Sequence, residues 1–213
     1  MMKLDMPSRN NRPLEEMCTI VLDALCDEGD LPGYVLETVA FAQEDVRGWD
    51  FRECVLRKCD LTDADLRGCS FIDVIFDHCD LSGCRMENAV FQRVRFDTCR
   101  MTGVDMPHTV LRNVAFGDCK EDYWNLSSSK LNQVLIRECN LAESVWDSVQ
   151  WKALELDACD LTRATVHFTS LKELDLRTCK LDGLLVDIPA LRGAVVTAMQ
   201  ATDLARLLGL VIQ

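Results

Sequence analysis

The sequence predicts an all-β chain wound as a square β-solenoid of about eight coils over residues 41–196. Three periodicities predict it. Stepping by five from Phe41 to Val196 meets 32 positions, of which 31 are apolar and only Glu121 is not. The residue two before each centre, from Trp49 to Ala194, adds 30 positions, and none of them is charged. The two sets together hold one charge, where a composition of 27% charged residues would place about 17. A period of five matches neither the 3.6 of a helix nor the 2 of a strand. It describes a chain that turns a corner every five residues, with two side chains pointing in and three out. Finally, Cys59, Cys79, Cys99, Cys119, Cys139, Cys159 and Cys179 recur every 20 residues. Four pentads per coil would stack these thiols in one column, with Phe76, Phe96 and Phe116 on one face and Phe71 on Phe91. At ~4.8 Å per coil the rod would be about 37 Å long.

Residues 1–40 precede the coils, and a solenoid end needs a cap because its edge would otherwise pair with another chain. Leu14, Met17, Cys18, Val21, Leu22 and Leu25 share one helical face within 14–26. Pro13 suits the first helical position, and Glu15 and Glu16 suit the positive end of the dipole. A capping helix over 14–26 is therefore expected, with partner binding by that helix as an alternative role.

Residues 197–213 close the chain. Thr197 and Gln200 have the spacing of a capping box, and Gly209 can end the helix. Leu204, Leu207 and Leu208 form an apolar stripe, and Leu210, Val211 and Ile212 follow it. One rod end needs less apolar cover than this, so these six residues are expected to form a homodimer interface.

Runs such as CDLTDADLRGCSF (59–71), CDLSG (79–83) and CDLTRATV (159–166) resemble the pentapeptide-repeat proteins, whose unit is A(D/N)LXX. That resemblance covers about three quarters of the chain and implies a right-handed quadrilateral β-helix. It says little about function, because the repeat recurs in proteins of many roles. The C-terminal stretch ALRGAVVTAMQATDLARLLGLVI (190–212) is similar to the end of the Qnr-type quinolone-resistance group, as are Tyr123 to Trp146 with the repeats around them. That similarity implies a rod-shaped dimer that mimics DNA and binds DNA gyrase and topoisomerase IV. Plasmid-borne members of the group interrupt the repeat with projecting loops. Here the five-residue phase never slips between 41 and 196, so such a loop is not expected. At CKEDYWN (119–125) the pentad is expected to bulge outward and present Glu121, Asp122 and Tyr123, because an unpaired buried Glu121 would cost several kcal/mol.

The net charge is −12. Such a chain is a poor binder of phosphate backbones and a better match for a basic protein surface. Assigning outward positions to the four sides gives seven acids against four bases on the side of Leu61 and Leu81. The side of Leu66 and Met86 has six against three. The side of Leu56 and Phe76 is near balance, and the side of Phe51 and Phe71 carries four acids and seven bases. Candidate partner-binding acids on the two acidic sides are Asp60, Asp63, Asp65, Asp80, Glu87, Asp105, Asp122, Glu143, Asp147 and Asp160. Their net charge is modest beside the roughly 22 charges on ~37 Å of duplex DNA.

No enzyme is expected. His78, His108 and His167 all take outward positions, without a nucleophile in a recognisable motif, and there is no glycine-rich phosphate loop. The thiols lie along a column instead of converging on a point, and although the closest Cys pairs are spaced x₄, at the limit of the zinc pattern Cys-x₂₋₄-Cys, they do not supply four converging ligands. Buried Cys acting as small apolar side chains is the expected role, with no cofactor. No apolar run reaches the ~20 residues of a membrane span, and the first residues lack a signal segment, so a cytoplasmic protein is expected. Two functions follow: a DNA mimic bound to a type II topoisomerase, or a scaffold for an unrelated protein.

Overall fold

In the computed structural model, residues 2, 4–7, 15–17, 29–120 and 122–210 are described. The chain winds into four-sided coils whose neighbours hydrogen-bond in parallel, offset by 20 residues: Phe51 pairs with Phe71, Phe71 with Phe91, and Leu56 with Phe76. On two sides the contacts are mostly single bridges, as in Asp60 to Asp80 and Asp45 to Asp65, the second side becoming short strands at Val145–Asp147, Thr165–His167 and Leu185–Val186. On the other two they are short strands. In the middle of the rod these two sides merge into eight-residue strands at Val90–Asp97, Val110–Gly117, Lys130–Arg137 and Gln150–Asp157.

The corners have a simple cause. Two residues after almost every centre the backbone enters the left-handed region, at 24 non-glycine positions from Thr38 to Glu173. A left-handed L-residue costs roughly 1–2 kcal/mol. The next coil offsets this by accepting the corner amide, as when Asp63 N–H donates to the Ser82 carbonyl at 2.9 Å and Glu53 N–H to that of Ile72 at 2.9 Å.

Each side sends one large and one small residue inward. The large ones stack: Phe51, Phe71 and Phe91 at centroid separations of 4.8 and 4.9 Å, and Phe76, Phe96 and Phe116 at 4.7 Å. The cysteine column lies inside the core as the 20-residue spacing requires. The thiols also have a polar role. Cys59, Cys79 and Cys159 each donate to the carbonyl 23 residues back, at 3.3 Å. Ser129 and Thr169 occupy equivalent positions and donate over the same 23-residue step, at 2.9 and 2.8 Å. Small S–H and O–H side chains thus share one task, satisfying a carbonyl at the corner. Burial pushes the Cys69 and Cys84 thiols up to about 12.

Two expectations for the N-terminal region need correction. Glu15–Met17 is not helical. It forms a strand paired in parallel with Tyr34–Glu37, because the first coil presents an open edge that a strand satisfies directly. The remainder of the expected helix, with Leu14, Cys18, Val21, Leu22 and Leu25, lies outside the described residues. The coils also begin before residue 41: Asp30–Pro32 pairs with Asp50–Arg52 and Val35 with Val55. The five-residue phase does extend back through Leu36 and Leu31, which is the signal for those strands.

At the other end a helix spans Ala198–Ala205. Thr197 accepts from the Gln200 amide at 3.2 Å while the Gln200 side chain accepts from the Thr197 amide at 2.7 Å, closing the expected capping box. Gln200 also ties the helix to the last coil by donating to the Leu176 and Cys179 carbonyls, both at 2.8 Å. Gly209 stops the following 3-10 turn in a left-handed conformation. Among the described residues no helix is long and apolar enough to cross a membrane.

Candidate protein-binding surface

The two acidic sides meet along the corner column of Asp63, Gly83, Gly103, Tyr123, Glu143, Arg163 and Gly183, all left-handed. The aspartates that begin each DL dipeptide also build the backbone here. Asp60 Oδ1 accepts the Thr62 amide at 3.0 Å and its hydroxyl at 2.6 Å, and Asp80 does the same for Ser82 at 3.0 and 2.6 Å. Asn140 and Asp160 accept the amide two residues on as well. These are Asx turns, and they explain why Asp or Asn precedes the central Leu. The Thr62 hydroxyl and amide hold the Asp60 carboxyl below its usual range.

The ten candidate acids divide by their partners. Asp65 is only 6% exposed and is shared by Arg67 at 2.7 Å, Arg85 at 3.1 Å and Arg47 at 3.8 Å. The Arg67 guanidinium holds its carboxyl below the ordinary range. Asp80 pairs with Arg100 at 3.7 Å, Asp160 with Lys180 at 3.0 Å, and Glu143 with Arg163. Those four are neutralised by this chain. Asp60, Asp63, Glu87, Asp105, Asp122 and Asp147 have no ion pair among the described residues. Several are oriented by neutral donors: Asp122 by the Thr102 hydroxyl at 2.7 Å, Asp105 by the Asn125 amide at 2.7 Å and Asp147 by the Ser148 hydroxyl at 3.0 Å. They run from the coil of Asp60 to that of Asp147, a stripe of about 20 Å at ~4.8 Å per coil. Sequence counting placed the acids on the right sides but could not separate paired from unpaired ones, because the partner is usually a coil away.

Glu121 lies outside the described residues. Of its neighbours, Asp122 is half-buried and Tyr123 stands 56% exposed in the left-handed region. Trp124 turns fully inward, where its ring Nε1 lies 2.8 Å from the Met106 sulfur.

At the C-terminal end, Leu204 packs against the last coil, while Leu207, Leu208 and Leu210 are exposed. Val211 and Ile212 lie outside the described residues. An apolar groove of about 330 Å³ runs between helix and coil, lined by Ile188, Leu191, Val196, Leu204 and Leu208. Sequence reasoning missed Phe168, which is 81% exposed at a left-handed corner beside Ile188. Among the described residues no group of three or more His, Cys, Asp or Glu side chains could hold a metal ion.

A four-sided solenoid with a five-residue period and a hydrogen-bonded DL unit defines a class of repeat protein. A model described as "Pentapeptide repeat region" matches residues 49–107 and 89–166, and the chain belongs to the pentapeptide-repeat family. No curated protein matches. Among solved structures, full-length QnrB1, a plasmid-mediated fluoroquinolone resistance protein, is similar at 20% identity with a TM-score of 0.32, covering 92% of this chain and 95% of that one. HetL of the cyanobacterium Nostoc, involved in heterocyst differentiation regulation, is similar at 16% identity with a TM-score of 0.42, covering 78% of this chain and 89% of that one. A pentapeptide-repeat protein of the Arabidopsis thaliana thylakoid lumen is similar at 18% identity with a TM-score of 0.28, covering 64% and 68%. The family sets the fold and leaves the partner open.

Proposed function

We propose that this protein is a cytoplasmic, non-enzymatic rod that binds a type II topoisomerase, DNA gyrase or topoisomerase IV, in the place of a DNA duplex. By this action it lowers sensitivity to quinolones or gyrase toxins. The observation that carries this is the stripe of acids without ion pairs, Asp60, Asp63, Glu87, Asp105, Asp122 and Asp147, along the edge shared by two sides of the rod. Fixed carboxylates in a line complement a basic groove and steer encounter with it. The similarity of residues 190–212 to the Qnr group supports both the partner and a homodimer through Leu204, Leu207, Leu208, Leu210, Val211 and Ile212. The exposed apolar side chains at this end are consistent with that interface.

A supercoiling assay with gyrase and a fluoroquinolone tests it. Wild-type protein is expected to rescue supercoiling. The quadruple variant Asp63→Asn, Glu87→Gln, Asp105→Asn, Asp147→Asn is expected to fold normally and need at least about tenfold more protein, since surface carboxylates without an ion pair contribute little to stability. Polar replacements of Leu207 and Leu208 are expected to yield monomers in sedimentation with weaker rescue. No rescue by folded wild-type protein would overturn the topoisomerase proposal. It would favour a scaffold for an unrelated protein, for which the internal neutralisation of Asp65, Asp80, Glu143 and Asp160 is the supporting observation.

A further inference from the structure

The N-terminal residues do not stay at the N-terminal end. The Met2 amide donates to Glu155 Oε2 at 3.0 Å, and the Asp5 amide donates to Asn113 Oδ1 at 3.2 Å. Residues 2 and 4–7 therefore lie against the side of the rod, several coils from the strand Glu15–Met17. The spacing shows how. Asn113 and Glu155 are two coils apart, about 9.6 Å along the axis. Three residues of extended chain span about 10 Å. The segment is thus a strap running along the rod axis, across the coil strands and not beside them. Met2, Leu4, Met6 and Pro7 are half-buried while Asp5 is exposed, so the described residues of the segment rest on the surface with Asp5 facing solvent.

The strap occupies a corner diagonally opposite the acidic stripe. Beside it runs a row of bases. Arg112 and Lys152 flank Asn132 in register on adjacent strands, and Lys130 stands on the same side. Arg112, Lys130 and Lys152 are exposed, and none has an ion pair among the described residues. On the acidic sides Asp65, Asp80, Glu143 and Asp160 hold most of the nearby cations in pairs, whereas this row has no ion partner among the described residues. The strap's Asp5 acts elsewhere, on Arg93, whose guanidinium Asp73 and, more weakly, Asp5 hold above its usual range.

We propose that this track is a binding site for an extended acidic peptide segment of another protein, and that residues 2–7 are its resident, displaceable occupant. Two features favour a peptide over a nucleic acid. Asn113 and Glu155 each take a backbone N–H, a donor that a peptide offers at regular intervals and a phosphodiester backbone lacks. On the far side of the track stand Glu155, Asp157, Glu173 and Asp175, which repel a polyanion as wide as a duplex. A single extended chain fits between that acidic border and the basic row, with its own acids turned to Arg112, Lys130 and Lys152. Two amide hydrogen bonds and a few half-buried side chains hold the strap weakly enough to exchange. Its presence lowers the apparent affinity of a competitor in proportion to the fraction of molecules with the track open.

Fluorescence anisotropy with the full chain tests this, using a fluorescein-labelled decapeptide of alternating Leu and Asp. The variant Leu4→Ala, Asp5→Lys, Met6→Ala weakens the strap and leaves the track unaltered. It is expected to bind the peptide about tenfold more tightly than wild type. Adding Arg112→Glu and Lys152→Glu to that variant is expected to abolish binding. All five positions lie outside the core, and circular dichroism checks that each variant is folded. Equal affinity of wild type and strap variant would overturn the role of residues 2–7. Binding that survives the two charge reversals would overturn the track. Tighter binding of a labelled 20-base-pair duplex than of the peptide, lost with the same reversals, would reassign the row to nucleic acid. This site and the acidic stripe lie on opposite edges, so failure of one leaves the other standing.

Discussion

Residues 49–119 and residues 141–196 share one backbone register but fill their interiors differently. In the first region the large aromatic residues of two sides repeat from coil to coil. Phe stacks on Phe at 4.7 to 4.9 Å, and the two stacks touch edge-on, as with Phe71 and Phe76 at 5.5 Å. The coil spacing of ~4.8 Å falls within the range that offset aromatic pairs prefer, so each ring can repeat without adjustment. In the second region Leu141, Leu161 and Leu181 repeat, but Trp146 is followed in its column by Val166 and Val186, and Trp151 by Leu171 and Leu191, so large rings face smaller side chains. Trp151 is only half-buried, its ring N–H reaching the Ser170 carbonyl at 2.6 Å. A narrow apolar cavity opens among Trp146, Trp151, Leu161, Val166 and Leu184. Periodicity in type gives the fold, whereas periodicity in shape gives close packing.

The largest expected effect follows from that contrast. Phe96 sits between Phe76 and Phe116 and contacts Phe91. Phe96→Ala should remove about 3–5 kcal/mol of stability, since rings held on both sides cannot relax into the cavity. Leu181→Ala, at a looser position, should lie near the lower end of the Leu-to-Ala range, about 2 kcal/mol. Denaturant midpoints compare the two. Equal losses would break the distinction between the regions.

The second effect depends on pH. Cys69 and Cys84 belong to the tightly packed region, where burial raises both thiols to about 12. In the unfolded chain a thiol ionises near 8.5. The folded state therefore holds its proton over a window in which the unfolded state has lost it. Stability is complete below about pH 8.5 and falls as pH rises toward 12, by ~1.4 kcal/mol per unit for each such thiol. Thermal melts from pH 8 to 10.5 should show the decline, and Cys69→Ala with Cys84→Ala should make it shallower, the other buried thiols keeping the rest. A slope unchanged by the double variant would place the alkaline loss elsewhere.

Both regions were legible in the sequence to the extent that their information is local and periodic. The five-residue series places every centre inward, and the 20-residue spacing gives the phenylalanine stacks and the thiol column. The helix expected at 14–26 failed at Glu15–Met17 because amphipathic spacing is a weak prior, and tertiary pairing with Tyr34–Glu37 overrides it. Residues 2–7 were unreadable for another reason. Their contacts at Asn113 and Glu155 span more than 100 residues of sequence, and no repeat relates a strap to a corner. The candidate acids fall between these cases. Their sides follow from phase, but whether Asp65 meets three arginines and Asp63 meets none depends on rotamers a coil apart.

The smallest expected effect asks whether the two regions differ in backbone as well as in packing. Gly103 and Gly183 hold the same left-handed corner, at φ 69° and 68°, one in each region. A Cβ added at Gly103 meets nothing within 4 Å, and one added at Gly183 comes 3.3 Å from the Arg163 Cγ, part of a flexible exposed side chain that can give way. The 24 non-glycine residues at such corners show that the fold accommodates a side chain there. Each Gly→Ala change should therefore cost only about 1 kcal/mol, the conformational penalty of a left-handed alanine with little steric addition. The two costs should agree to within a few tenths of a kcal/mol by chemical denaturation. A much larger loss at Gly183 would mean that the C-terminal coils are strained at their corners and that their looser core reflects the backbone. Agreement would place the whole difference between the regions in the shapes of their inward side chains.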